Sequence, residues 1–304
     1  MPTSAAISAL ARSLIAGEPT IEGVHAPAVR TLGRPWRWLQ PLALRYIEAH
    51  VGKQVVLRLD LENFLPAFPA ARAQALFRTL GYPEQVADRL GGIGSNAVPR
   101  SVWNHRPLEF NTKLWWEARV LYARPHLPQG APTSPALANI TAFRLDCRLS
   151  GLARSAGAAY TRYADDLAFS GGEEFSRGVE RFAAHAAAVA LEEGFSVNHH
   201  KTRIMRRGVR QSLAGIVVNQ HINLRRADLQ ILEAMLTNCA RFGPESQNPQ
   251  GLPDFRAPLE GRIGFVEMIN RTKGQQLRTI FEAINGSTHS TWELGTAPQR
   301  FAEN

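Results

Sequence analysis

Apolar positions along this chain recur with two distinct periods. Through Ile7, Leu10 and Leu14, and again through Trp38, Leu42 and Ile47, the spacing is that of one helix face, so residues 1–48 are expected to be helical. The period then changes. Val55 to Leu61 is short, β-branched at its start and mostly apolar, as a buried central strand is. Helical spacing returns over residues 70–80 and stops at Gly81-Tyr82-Pro83, and a further short helix ends at Gly91-Gly92. Residues 94–128 scatter Gly, Pro, Trp and basic residues and read as loop. A helix over 133–149 is expected, with Thr133-Ser134-Pro135 supplying a capping hydroxyl and a proline in the first turn. Tyr160 to Ser170 holds two β-prone runs separated by Asp165-Asp166, the pattern of a hairpin with a polar tip. An Ala-rich helix near 175–193 closes at Gly194, and residues 213–224 predict a second hairpin with Asn219-Gln220 near its turn. From Arg225 the pattern is helical, interrupted by a loop over Gly243–Pro253.

This order divides the chain near residue 224 into a mixed α/β core and a smaller helical unit. The length of 304 residues agrees with about two domains. Hydrophobic residues at 44% and charged residues at 20% favour a globular chain over a disordered one. Lys and Arg number 35 against 26 Asp and Glu, and a net charge of +9 points to a polyanionic partner, nucleic acid or an anionic membrane surface. No run of about 20 apolar residues is present, so a membrane-spanning role is not expected. Met1-Pro2-Thr3-Ser4 lacks a basic region followed by an apolar core, so a cytoplasmic location is expected. Cys147 and Cys239 lack metal-ligand spacing, which argues against a disulfide or zinc scaffold. Arg34-Pro35-Trp36-Arg37-Trp38 reads either as a tryptophan-anchored helix or as an aromatic and basic contact for nucleic acid.

The carboxylates carry the chemistry. Asp is a favoured turn residue, so Asp165-Asp166 alone fits an ordinary exposed turn. Asp60 ends an apolar strand, where an ionised carboxylate is costly unless it is paired or binds a metal. If the hairpin packs beside that strand, three carboxylates converge. Acidic ligands without Cys or His suit Mg2+, and a pair of such ions supports nucleotidyl transfer.

Several segments resemble reverse transcriptases, in the family's order. Tyr163-Ala164-Asp165-Asp166 resembles the family signature, and the longer Tyr160 to Gly171 resembles the retron-type bacterial branch. Leu59 to Phe64 resembles the first catalytic block of the polymerase palm, and Leu127 to Asn139 the block beneath template and incoming nucleotide. Val197 to Arg203 is similar to the next palm block, Leu213 to Asn219 to the primer grip, and Leu259 to Gly264 to the bacterial thumb. The resemblance covers roughly residues 49–285. It implies an α+β fold: a right-hand polymerase palm, an antiparallel sheet with packed helices, plus a helical thumb. The implied domains are a helical leader over 1–48, a palm with remnant fingers over 49–224, a thumb over 225–290 and a tail over 291–304.

The resemblance also implies roles. Asp60, Asp165 and Asp166, with the Leu61 carbonyl, would hold two Mg2+ ions; Phe64, Leu65, Gln129 and Gly130 would line the nucleotide site. Lys201 would neutralise or protonate the leaving pyrophosphate, its plain alternative being a solvated charge. Tyr163 and the run Arg203, Arg206, Arg207 and Arg210 would contact nucleic acid, and Arg225, Arg226, Arg262, Arg271, Lys273 and Arg278 would extend that track. His199-His200 lack partners at metal spacing. The implied partners are a structured noncoding RNA, an RNA–DNA hybrid and dNTPs, with anti-phage defence beside an effector protein.

Three departures stand out. The fifth position after Asp60, normally a bulky aromatic that excludes ribonucleotides, is Leu65. Asp60 follows only 59 residues without a recognisable basic fingers block, so reduced fingers and an internal deletion near residues 40–50 are expected. Retron marks are altered: Tyr46-Ile47 stand where Asn-Ala precede His50 in the family pattern, and Leu213-Ala214-Gly215 where Val-Thr-Gly is usual. The leading reading is an RNA-directed DNA polymerase of retron type. The alternative is a catalytically impaired palm and thumb remnant that binds RNA.

Overall fold

The computed structural model describes residues 44–104, 112–252 and 254–285. The helices expected over 1–43, the aromatic cluster at Trp36 and Trp38, and the tail lie outside the described residues. The chain divides into two compact units, Met1–Leu213 with Val218–Gln220, and Ala214–Val217 with His221–Asn304.

The first unit is α+β. Its central strand β1 (Val55–Glu62) pairs antiparallel with β3 (Asp166–Gly171), β4 (Ser196–Val197) and β5 (Arg203–Arg206), and β2 (Ala159–Tyr163) pairs with the outer side of β3. Because side chains alternate along β1, Val55, Leu57, Leu59 and Leu61 share one face while Arg58 and Asp60 share the other. The apolar face packs on Leu145, Leu149 and Ala153 of α5 (Phe143–Ser155) and on Phe175, Val179, Phe182 and Ala186 of α6 (Glu173–Glu192). Burying the Val, Leu and Phe side chains among these stabilises the layer by about 1.5–3 kcal/mol each.

The other face is partly covered by a helical turn at residues 44–48 and by His50. Thr161 Oγ1 donates to the Tyr46 carbonyl at 2.8 Å, so His50 Nε2, 2.7 Å from that oxygen, is the donor. Nδ1 then accepts from Ser170 Oγ at 2.6 Å. Burial, with a smaller contribution from Lys53, pulls the His50 pKa down to about 3 and keeps the ring neutral.

Two other helices, α1 (Ala70–Thr79) and α2 (Glu84–Ile93), occupy the segments expected from the pattern. The stretch 94–128 differs from expectation, because α3 (Thr112–Tyr122) lies within it. Its eleven residues contain neither Gly nor Pro, but the apolar Trp116 and Val120 are exposed and blur the helical period that would mark it. The single helix expected over 133–149 is two, α4 (Ser134–Thr141) and α5. Thr133 makes no side-chain cap; Ser134 Oγ donates instead to the Pro128 carbonyl at 2.6 Å and ties down the preceding loop. Ala214 and Gly215, both at positive φ, make a turn between β6 (Ser212–Leu213) and β7 (Ile216–Val217). Asn219 does not merely fill a turn: its Nδ2 donates to the Val209 carbonyl at 2.8 Å, and its Oδ1 accepts from the Gln211 N–H at 2.9 Å.

The second unit is helical: α7 (Arg226–Phe242), α8 (Arg256–Ile269) and α9 (Arg271–Asn285) pack around Leu236, Ile263 and Phe281. Gly274 is required there, since a Cβ would stand 2.4 Å from the Glu267 Cα. Arg278 is held by Glu267 at 2.9 and 2.7 Å and by Glu260 at 3.5 Å, so it does not join the expected phosphate track as a free cation.

Candidate active site

The β1–β3 register sets Asp60 directly opposite Asp166, on the face away from α5 and α6. The hairpin turn falls one residue earlier than the sequence pattern suggests. Tyr163 pairs with Asp166, so Ala164 and Asp165 form the tip and Asp166 belongs to the ladder. Ala164 adopts φ 54°, a left-handed conformation that costs a non-glycine residue about 1–3 kcal/mol unless its surroundings hold it. The Leu61 N–H donates to the Asp165 carbonyl at 2.9 Å, fastening the tip to β1.

Each of two carboxylates has a cation. Arg58 Nε and Nη2 stand 2.8 and 2.6 Å from Asp166 Oδ1. Lys201 Nζ lies 3.3 and 3.2 Å from the two oxygens of Asp60, placed there by a turn in which the Lys201 N–H bonds Asn198. The Asn198 N–H in turn donates to the Asp60 carbonyl at 2.8 Å. Burial raises the carboxyl pKa of Asp165, and repulsion from Asp60 adds to it against the pull of Lys201 and Arg58. Burial likewise raises that of Asp166, where Arg58 opposes and Asp165 and Asp60 reinforce the shift.

The expected convergence on a metal is met only in part. Among the described residues no three His, Cys, Asp or Glu side chains are grouped so as to hold one ion together. The reason is visible in the geometry: the Asp166 carboxylate is turned to Arg58, and that of Asp60 to Lys201. The donor chemistry nonetheless fits a hard dication. All three carboxylates offer only oxygen, burial raises the pKa of two of them, and the buried Tyr46 hydroxyl beside them has no hydrogen-bond partner. A divalent ion would relieve that unfavourable concentration of negative charge.

Comparison with known proteins adds an independent line. Residues 26–218 match the family described as reverse transcriptase (RNA-dependent DNA polymerase). The chain belongs to the reverse transcriptase family. Curated relatives of the chain are retron reverse transcriptases. It is 41% identical over 232 residues to the Retron Mx65 reverse transcriptase of Myxococcus xanthus, covering 75% of this chain and 49% of that one. It is 34% identical over 241 residues to the Retron Mx162 reverse transcriptase of the same organism, covering 75% and 47%. A third relative, the Retron Ec86 reverse transcriptase of Escherichia coli, is 30% identical over 171 residues, covering 56% of this chain and 44% of that one. The chain thus spans about half the length of these curated relatives.

Within this reverse transcriptase chain the remaining expected residues are placed as follows. Tyr163 is half-buried, its ring 5.8 Å from that of Tyr46, and burial together with Asp165 and Asp166 raises its pKa. Gln129 and Gly130 form an exposed turn in which Gly130 takes φ 88°, and the Leu127 N–H anchors the segment to the Phe68 carbonyl at 3.1 Å. Leu65 is partly buried against the core. Phe64, expected beside the nucleotide, is instead buried against Phe68 and Phe195 at ring distances of 4.9 and 5.7 Å. Continued alternation would put Phe64 on the Asp60 face, but the chain leaves β1 at Asn63, whose φ is 49°, and the Phe64 side chain packs on the helix side. Of the basic run, Arg206 is paired with Glu180 at 2.9 Å and Arg203 bonds the His200 and Thr202 carbonyls, while Arg207 and Arg210 are exposed. Arg58, Tyr46 and Arg162 are neighbours of the site that motif reading passed over.

Proposed function

We propose that this chain is an RNA-directed DNA polymerase of retron type, extending a primer with dNTPs on a structured noncoding RNA. Residues 49–224 serve as palm and 225–290 as thumb. The observation that carries the reading is the register of Asp60 against Asp166, with Asp165 on the adjoining turn. Asp60, Asp165 and Asp166, with the Leu61 carbonyl, would hold the two Mg2+ ions, which when bound activate the primer hydroxyl and stabilise the leaving oxygen. The chain's own residues do the rest. Leu65 and the Gln129-Gly130 turn bound the nucleotide, and Lys201, released from Asp60, meets the pyrophosphate. Tyr163, Arg207 and Arg210 contact the RNA–DNA hybrid. Anti-phage defence beside an effector protein belongs to the same reading.

A second reading is favoured by one observation, the commitment of Asp166 to Arg58 and of Asp60 to Lys201. If those pairs persist, the chain binds RNA without synthesis. Primer extension on a primed RNA with Mg2+, run beside a filter-binding titration against salt, separates the two. Incorporation supports the polymerase; binding with a steep salt slope and no incorporation selects the remnant.

A further inference from the structure

Behind the hairpin lies a charge that the polymerase reading does not use. Arg162 belongs to β2 but points to the helix side of the sheet, where it is 1% exposed. Its Nε and Nη2 donate to the two oxygens of Asp146 on α5 at 2.7 and 2.6 Å. Nη1 donates to Asn139 Oδ1 on α4 at 2.9 Å and to the Ala164 carbonyl at 3.1 Å. The Tyr160 hydroxyl completes the Asp146 side at 2.8 Å, and the guanidinium lies over the Phe64 ring at 5.6 Å from its centroid. Burial works against the charged form, and the Asp146 carboxylate outweighs it, so the guanidinium stays ionised.

An ion pair that served only to join β2 to α5 would be complete with Asp146. The bond to Ala164 does something more. That residue sits in the left-handed region, which an alanine holds only when its neighbours over-determine it. The following carbonyl, that of Asp165, is held from the opposite side by the Leu61 N–H. The tip is therefore pinned twice, by the backbone of β1 and by a planar, multi-donor side chain reaching from behind. A lysine carries the charge but lacks the fork that reaches carboxylate, amide and carbonyl together.

We propose that Arg162 is a positioning residue: held by Asp146, its guanidinium fixes the Ala164 carbonyl and so the turn that presents Asp165 and Asp166 on the far face of the sheet. The proposal rests on the reading of those carboxylates as the polymerase site. The test uses the full chain with two variants. One is Arg162→Lys; the other combines Arg162→Met, Asp146→Leu and Tyr160→Phe, which leaves no buried charge unpartnered.

Amide hydrogen exchange is the readout independent of activity. In both variants the amides of Leu61 and of residues 164–166 should exchange at least about tenfold faster, while those of α6 are unchanged. The rate of dNTP incorporation under saturating substrate should fall about 10–100-fold, with primer–template affinity retained. Unchanged exchange at Leu61 and the tip in a folded variant overturns the proposal, whatever the activity. If the unsubstituted chain incorporates nothing, the polymerase reading fails, and the exchange pattern alone still decides whether Arg162 holds the turn.

Discussion

Arg58 and Asp166 meet diagonally across the β1–β3 ladder, with two guanidinium nitrogens at 2.8 and 2.6 Å from one carboxylate oxygen. Arg58 opposes the rise in the Asp166 pKa that burial and the neighbouring carboxylates cause. Arg58→Met removes that opposition, so Asp166 protonates at a higher pH. The acid limb of the incorporation rate should move to higher pH in this variant. An unmoved limb would mean that Asp166 ionisation does not govern the rate.

Lys201 tests whether a cation over Asp60 is a participant or a bystander. Its side chain is largely exposed, which leaves it free to exchange Asp60 for a leaving phosphate. Lys201→Met should slow incorporation by about 10²–10⁴-fold, the usual range for a lost proton donor, with primer–template affinity unchanged. A change of less than about twofold would assign it to simple surface charge.

On the proposed reading, sugar selectivity depends on Leu65. An aliphatic side chain partly buried against the core offers a weaker barrier to a 2′-hydroxyl than an aromatic one. Discrimination between dNTP and rNTP should therefore be about 10–200-fold, and Leu65→Phe should increase it. Competitive incorporation assays measure both, and a decrease with Leu65→Phe would contradict the assignment.

The neutral His50 makes stability depend on pH. Its folded pKa of about 3 lies below the ordinary 6.5, so above that value both folded and unfolded forms are neutral and stability is complete. As pH falls from 6.5 towards 3, the unfolded chain takes up a proton that the folded chain refuses, and stability drops by about 1.4 kcal/mol per pH unit. Urea unfolding of His50→Gln, compared with the parent over that window, should lack this slope. Parallel slopes would place the titration elsewhere.

The elements legible in the sequence were those whose pattern is local. Val55–Leu61 and the Ala-rich α6 announce themselves by apolar period, and the reverse transcriptase blocks name the carboxylates. The turn falls one residue earlier than the Asp preference for turns suggests, because the register that pairs Asp60 with Asp166 puts Asp166 in the ladder and Ala164 in the left-handed tip. Arg58 and Arg162 read in sequence only as charges within strands. Their partners, Asp166 and Asp146, stand 108 and 16 residues away, and no short-range pattern links them. The burial of Phe64 was not legible because a motif fixes neighbours along the chain and leaves the direction of a side chain to the turn that follows.

The central proposal is one nucleotidyl-transfer site built from Asp60, Asp165 and Asp166. Single-turnover extension of a primed RNA template with Mg2+ and dNTPs, comparing the parent chain with Asp165→Asn/Asp166→Asn, tests it most directly. Both residues are partly buried with raised pKa values, so the substitution should leave the fold intact by thermal unfolding. The predicted result is incorporation by the parent and a loss of at least about 10³-fold in the double variant. Equal rates in the two proteins would contradict the site.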